Sequence, residues 1–378
     1  MSWRKITLED ICISIADGDH QPPPKSDNGI PFVTISNITN TNKLDFTDTM
    51  FVSQEYYDNL NDKRRAHTGD ILYSVVGSFG IPVFIDKEQK FVFQRHIAIL
   101  RPDPQKIVPR FLYYMMLSRD FYMKADTVAL GAAQRTISLT ALRKMEMEVP
   151  PYNVQEKIVK ILKPFDDLIE NNQKQIKLLE EAAQRLYKEW FVDLRFPGYE
   201  NTKVVDGVPE GWSRRKVTDF LEVKYGKDHK ILEDGDIPAY GSGGIIRKVK
   251  SILYSGESIL IPRKGSLNNI MYVTGDFWTI DTMFFSKPRM DNILKYTYLF
   301  LKGIDMYSFN IGAAVPSMTV KILDGIDILQ PDEKTLLRFE KIMNPIFRKI
   351  EILGTQTEMV QETRDRLLPK LINGEIEV

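Results

Sequence analysis

The 378-residue sequence has one cysteine, four histidines and no charge excess, with 51 lysines and arginines against 51 aspartates and glutamates. A single thiol, Cys12 between Ile11 and Ile13, excludes an internal disulfide and suits a reducing cytosol. His20, His67, His96 and His229 stand far apart, without the spacing of metal ligands. A zero formal charge excludes nucleic-acid binding by bulk charge while leaving local basic patches open. No long apolar run reads as a membrane span, and the opening Met-Ser-Trp-Arg-Lys-Ile-Thr lacks the apolar centre of a signal peptide. The expectation is a cytoplasmic protein with no membrane partner.

Catalytic signatures are missing as well. There is no Walker A motif, no glycine-rich dinucleotide fingerprint and no nucleophile elbow. Val149-Pro150-Pro151-Tyr152 imitates the tetrad of amino-methyltransferases, but valine stands where a polar group must hold the target nitrogen. It reads as a strand end and a helix start. Asp70 with Glu88-Gln89-Lys90 resembles a nuclease pattern, yet the latter triplet falls in a turn. Asp17-Gly18-Asp19-His20, close to Pro22-Pro23-Pro24, reads as a polar turn rather than a cation site. Nothing in the sequence calls for catalysis.

What is present is a repeat. Shifted by 181 residues, positions 131–190 lie over 312–371 without a gap and share fourteen identities in sixty positions. Gly-Ala-Ala (131–133) meets Gly-Ala-Ala (312–314), Pro150 meets Pro331 and Pro164 meets Pro345. Ile169, Glu170, Arg185 and Leu186 meet Ile350, Glu351, Arg366 and Leu367. The chain is an internal duplication.

Each copy ends in an amphipathic stretch with heptad spacing. Phe165, Ile169, Asn172, Ile176, Leu179, Ala183, Leu186 and Trp190 form one seam. Ile346, Ile350, Leu353, Thr357, Val360, Arg364, Leu367 and Leu371 form the other. The prolines predict a short helix, a break, and then a helix of about 25 residues or ~40 Å. Asn153 with Glu156 reads as a capping box, and Asp332 is its counterpart. Two equal helices in a duplicated chain pair most easily about a pseudo-twofold axis, which makes them antiparallel. The polar seam positions Asn172, Thr357 and Arg364 would set register.

Between Trp3 or Trp212 and its helix, each front is written in short β-rich runs bounded by turn residues. The fronts differ in length, 128 residues from Trp3 to Gly131 and 100 from Trp212 to Gly312, whereas the backs keep theirs to the residue. Residues 195–209 read as a linker. Over 211–290 there are thirteen Lys and Arg against nine Asp and Glu, and both fronts carry polar loop clusters suited to phosphates and base edges.

This arrangement resembles the specificity subunit of type I restriction–modification systems. The matching text includes Gly-Asp-Ile-Leu (69–72), Gly-Ala-Ala-Gln-Arg-Thr-Ile (131–137), Val-Pro-Pro (149–151), Gln155-Glu156-Lys157-Ile158 and the C-terminal Arg366-Leu367-Leu368-Pro369-Lys370-Leu371-Ile372-Asn373-Gly374. The second copy departs at Val315-Pro316-Ser317 and at Glu333-Lys334. The resemblance implies an α+β fold with two strand-rich, mixed α/β target-recognition domains, at 1–150 and within a linker-plus-domain stretch at 196–331. Long coiled-coil helices at 151–195 and 332–378 would separate them and act as a ruler. It implies a non-catalytic reader of a bipartite, asymmetric sequence in double-stranded DNA. Two methyltransferase subunits would bring S-adenosylmethionine, and restriction–translocase subunits would bring ATP and Mg2+, leaving this chain without a cofactor or metal.

On that reading the base readers are Asn37, Asn40, Arg95, Gln134 and Arg135 in the first front. Tyr240, Ser242, Arg263, Lys264 and Asn268 are those of the second. Phe165, Ile169, Ile176, Leu179, Leu186, Trp190, Ile346, Ile350, Leu353, Val360 and Leu367 form the helix-pair and partner interface. Two other readings fit the sequence: a reader for an orphan methyltransferase without restriction, and a coiled-coil interaction scaffold that never touches DNA.

Overall fold

The computed structural model describes residues 3–18, 23–39, 41–47, 49–77, 79–131, 135–310 and 316–378. The chain forms two compact units, Met1–Glu170 with Thr357–Val378, and Asn171–Gln356.

The first unit runs β1 (Arg4–Thr7), α1 (Leu8–Ile11), β2 (Cys12–Asp17), β3 (Ile30–Val33), β4 (Met50–Val52), α2 (Gln54–Asp58), β5 (Ile71–Ser74), β6 (Pro82–Phe84), β7 (Val92–Phe93), β8 (Ile97–Pro102), α3 (Pro109–Leu117), α4 (Arg119–Val128), α5 (Leu139–Arg143) and β9 (Glu146–Val149). An antiparallel sheet has the order β2-β8-β5-β6, and a second has the order β4-β3-β7 with β3 and β7 parallel. β5 reads Ile-Leu-Tyr-Ser and is buried along its length because both of its faces are covered. Ile71 and Tyr73 turn toward Phe111, Leu112 and Tyr114 of α3, and Leu72 joins Phe91, Phe93 and Val33 on the other side. β1 pairs antiparallel with β9, Arg4 opposite Val149, and so clasps the front shut immediately before the first long helix, α6 (Tyr152–Tyr187).

The second unit repeats the plan. A small hairpin, β10 (Val204–Val205) and β11 (Val208–Pro209), occupies the expected linker. There follow β12 (Ser213–Lys216), α7 (Val217–Phe220), β13 (Leu221–Tyr225), β14 (Asp234–Gly241), β15 (Gly244–Val249), β16 (Tyr254–Ser255), β17 (Ser258–Pro262), β18 (Met271–Val273), β19 (Asp276–Thr279), β20 (Met283–Pro288), α8 (Leu294–Lys302), α9 (Val320–Asp324), β21 (Asp327–Gln330) and the second long helix, α10 (Glu333–Ile372). The sheets are β13-β20-β17-β18 and β15-β14-β19-β16, with β14 and β19 parallel, and the clasp is β12 with β21. Each of α9 and β21 lies 181 residues beyond its counterpart, α5 or β9, the offset of the sequence repeat.

The expected breaks at the prolines do not occur. α6 is continuous over 36 residues through Pro164, and α10 over 40 residues through Pro345 and Pro369. Each proline forfeits one helical hydrogen bond, at a cost of ~3 kcal/mol. All three are exposed, as are Lys160 and Lys341, whose carbonyls lose their donors and face a side open to water. Buried neighbours on the opposite stripe, Ile158 and Leu162 in α6 and Phe339 and Met343 in α10, hold the helix through the gap.

The capping reading is corrected at one end and holds at the other. α6 begins at Tyr152, and the amides of Val154 and Gln155 donate to Pro151 O at 2.9 and 3.1 Å, so Asn153 lies inside the first turn. Gln155 is the anchor there: Oε1 accepts from Val108 N at 3.0 Å and Nε2 donates to Pro150 O at 2.9 Å. Asp332 caps α10, accepting from Thr335 N at 2.9 Å, Thr335 Oγ1 at 2.6 Å and Trp212 Nε1 at 3.0 Å.

None of the sixteen seam residues is exposed. In the first unit Leu162 packs in the core that also takes Leu368, Leu371 and Ile372, and Arg364 Nη1 donates to Asp166 Oδ1 at 2.9 Å. In the second, Ala183, Tyr187 and Trp190 pack with Leu336, Phe339 and Met343. Trp190 sits in a wider π-helical turn, Lys188–Val192, that follows α6.

Candidate nucleic-acid interface

In the second unit the loops after β14, β17 and β19 meet on one face. Arg263, just past β17, donates from its amide to Thr282 O at 2.8 Å and accepts from Met318 N at 2.9 Å. Its guanidinium donates to Asp281 O at 2.6 Å and lies over Tyr225 at 4.7 Å and Phe284 at 5.1 Å. Asn268 donates to Asp305 Oδ1 at 2.9 Å and accepts from Met306 N at 2.7 Å, and Asn269 donates to Ser242 O at 2.8 Å. Tyr307 closes the loop, its hydroxyl donating to Gly265 O at 2.9 Å and accepting from Leu267 N at 3.2 Å. Tyr240, next to last in β14, accepts from Ile280 N through its carbonyl at 3.0 Å. Four of the five residues singled out in this front, Ser242, Arg263, Lys264 and Asn268, therefore fall on adjoining loops, with Tyr240 near the end of the strand that leads into them. Their chemistry divides: Arg263 and Asn268 hold the loops in place, whereas Lys264 is exposed and Ser242 half-buried at the β14–β15 turn.

In the first unit Arg95 is exposed in the turn between β7 and β8. Asn37 is 5% exposed, its Oδ1 accepting from Thr34 N at 2.9 Å and its Nδ2 donating to Asp45 O at 3.1 Å. That amide builds its own turn. Arg135 pairs with Asp126 Oδ1 at 2.7 Å and lies over Phe79 at 5.9 Å, which stacks on Tyr122 at 5.4 Å. Asn40 and Gln134 lie outside the described residues. Sequence reasoning missed the aromatics that hold these cations, Tyr225, Phe284 and Phe79. Each is tens of residues from its partner, and no local pattern joins them.

Asp70 is buried in an ion-pair network instead of meeting Glu88 or Lys90. Its carboxylate accepts from Arg101 Nε at 3.2 Å and His67 N at 2.9 Å, and Arg101 reaches Asp62 Oδ2 at 2.6 Å. Burial pushes the Asp70 carboxyl up despite these partners. The network ties the 62–70 loop to β8. Burial likewise pushes the Cys12 thiol up to about 12, which makes it a poor nucleophile. Among the described residues no group of three His, Cys, Asp or Glu could hold a metal ion, and no helix is long and apolar enough to cross a membrane.

Residues 2–181 and 209–362 match the type I restriction modification DNA specificity domain. The chain belongs to that family. It is 27% identical over 305 residues to the type I restriction enzyme MjaIX specificity subunit of Methanocaldococcus jannaschii, covering 72% of this chain and 70% of that one. It is 25% identical over 409 residues to the putative MjaX specificity subunit of the same organism, covering 100% and 94%. The crystal structure of a type I restriction–modification S subunit from M. genitalium aligns over 98% of this chain and 96% of its own at 18% identity, with a TM-score of 0.57. That likeness is one of fold: mixed α/β, with two sheet-rich domains and long helices.

Proposed function

We propose that this chain is the sequence-reading subunit of a type I restriction–modification complex, itself without catalysis, acting in the cytoplasm. The observation that carries the reading is the paired plan of the units. Each front has a four-stranded antiparallel sheet of the same order beside a second sheet built on a parallel pair, of three strands in the first unit and four in the second. Each is clasped shut by two strands and leads into a long helix, yet presents different polar loops. Two domains of one design with different loops suit a bipartite, asymmetric target in double-stranded DNA. The domains are 1–150 and the part of 196–331 after the linker.

In this proposal the helices at 151–195 and 332–378 form an antiparallel coiled coil whose length sets the number of unread base pairs. Support comes from contacts within each unit: Asp166 meets Arg364 in the first, while Asn172 meets Gln356 and Trp190 meets Phe339 in the second. Partner numbers fall as α6 numbers rise. Leu178, Ile352 and Met359 are exposed apolar side chains on the helices, suited to holding two methyltransferase subunits. Those subunits would supply S-adenosylmethionine and the adenine-methylating site. Restriction–translocase subunits would supply ATP- and Mg2+-dependent cleavage.

Arg95, Tyr240, Ser242 and Lys264 are proposed to face DNA, with Arg135, Arg263 and Asn268 positioning the loops. The test is a base-resolution map of adenine methylation in cells expressing this chain with its neighbouring methyltransferase. A split motif that appears only with this chain, and changes in one half when residues 1–150 are exchanged, is the expected result. A confirmed complex with no chain-dependent motif would overturn the proposal.

A further inference from the structure

The duplication makes each unit a control for the other. Both carry a tight turn between the parallel-paired strand and the central sheet, at 94–97 and at 280–283, and the backbone around it matches bond for bond. Gln94 N donates to Val33 O at 3.0 Å, and Ile280 N to Tyr240 O at 3.0 Å. Ile97 N closes on Gln94 O at 3.0 Å, and Met283 N on Ile280 O at 3.0 Å. Val75 N reaches His96 O at 2.8 Å, and Arg263 N reaches Thr282 O at 2.8 Å. A glycine with no room for a side chain backs each turn. A Cβ on Gly18 would lie 2.0 Å from Phe93 O, and one on Gly226 would lie 2.0 Å from Ile280 O.

At the second position of this turn the side chain reverses charge: Arg95 in the first unit, Asp281 in the second. Both are exposed, and among the described residues neither side-chain group has a hydrogen-bond or ion-pair partner. The fold therefore does not use these side chains, while it holds their backbone in one frame. A carboxylate facing DNA is repelled by phosphates unless it accepts from a base, and the cytosine N4 amino group is the donor that Asp or Glu reads in the major groove. A guanidinium in the same place offers a donor fork matched to guanine O6 and N7.

We propose that this turn is a base-reading finger in each unit, with Arg95 reading a guanine in one half-site and Asp281 a cytosine in the other. The proposal rests on the DNA-reading function above and adds the chemistry each half selects.

The experiment maps adenine methylation at base resolution in cells carrying the partner methyltransferase and the full chain, as wild type, Arg95→Ala, Arg95→Lys or Asp281→Asn. Arg95→Ala is expected to make one guanine degenerate, with roughly 5- to 150-fold lost discrimination there and the other half-site unchanged. Asp281→Asn is expected to relax one cytosine in the opposite half. If Arg95→Ala lowers all sites equally and Arg95→Lys restores them, Arg95 contacts phosphate and the proposal fails. An unchanged motif in Asp281→Asn also overturns it. A wild-type chain giving no chain-dependent motif overturns the underlying reading and this proposal together, an outcome distinct from a wild-type motif that the variants leave intact.

Discussion

Asn172 donates from Nδ2 to Oε1 of Gln356 at 3.2 Å, a side-chain amide pair within the second unit. Asn172 is 1% exposed and sits on a seam of mostly apolar residues. Polar groups at such positions fix register at a cost in stability. Asn172→Leu is expected to raise the unfolding free energy from urea denaturation by about 1 kcal/mol, and Asn172→Ala to lower it by ~1–2 kcal/mol. A leucine variant less stable than wild type would mean that the amide pair stabilises on balance.

A buried cation joins α8 to α10. Lys295 Nζ lies 2.7 Å from Glu340 Oε1 and 3.3 Å from Glu257 Oε1, with Lys295 only 4% exposed at its side chain. Removing Glu340 leaves the buried Lys295 with only the half-exposed Glu257 at 3.3 Å to offset its charge, so Glu340→Ala should cost ~3 kcal/mol in equilibrium denaturation. Lys295→Met with Glu340→Leu should recover most of that loss. A double variant as unstable as the single one would show that the ion pair itself is needed.

Asp332 gives a pH dependence. Burial opposes its charge, but hydrogen bonds from the Thr335 hydroxyl and amide and from Trp212 outweigh this and hold the carboxyl below its usual 3.8. A depressed folded-state pKa stabilises above the unfolded value, and the contribution is lost as pH falls through the folded one. Asp332→Ala should therefore cost ~1–2 kcal/mol at neutral pH, with the gap to wild type narrowing below about pH 4. Urea midpoints of the two proteins across that range provide the check, and a constant gap would count against the cap.

Gly226 sets the shape of its turn by lacking a side chain, since a Cβ would meet Ile280 O at 2.0 Å. Gly226→Ala should destabilise by ~1–3 kcal/mol through overpacking. In the methylation map it should disturb the half-site of the second unit alone. Equal disturbance of both halves would show that the turn is not local in its effect.

The strand-rich fronts and the long helices were legible in the sequence because each is a matter of spacing. Pro164 and Pro345 break no helix because the burial of Leu162 and Met343, set by tertiary packing, overrides the local loss of a donor. Asn153 looked like a cap, but Pro151 O already receives the first amides. Among the site residues, Asn37 and Asn268 have a reader's chemistry, yet their amides are engaged in their own loops, which only coordinates reveal. Asp281 was invisible for another reason. The fronts differ in length, so no alignment sets it opposite Arg95; the hydrogen bonds of the two turns do.

The two-stranded clasps carry a consequence for inheritance. Arg4 lies opposite Val149, and Ser213 opposite Gln330, so the chain enters and leaves each front side by side. A front can then be exchanged for another of different length with only two crossovers, both inside the clasp strands, while the helix beyond keeps its course. Recombination between relatives would alter one half of the target at a time, and a population could diversify its recognition without redesigning the machine that acts on it.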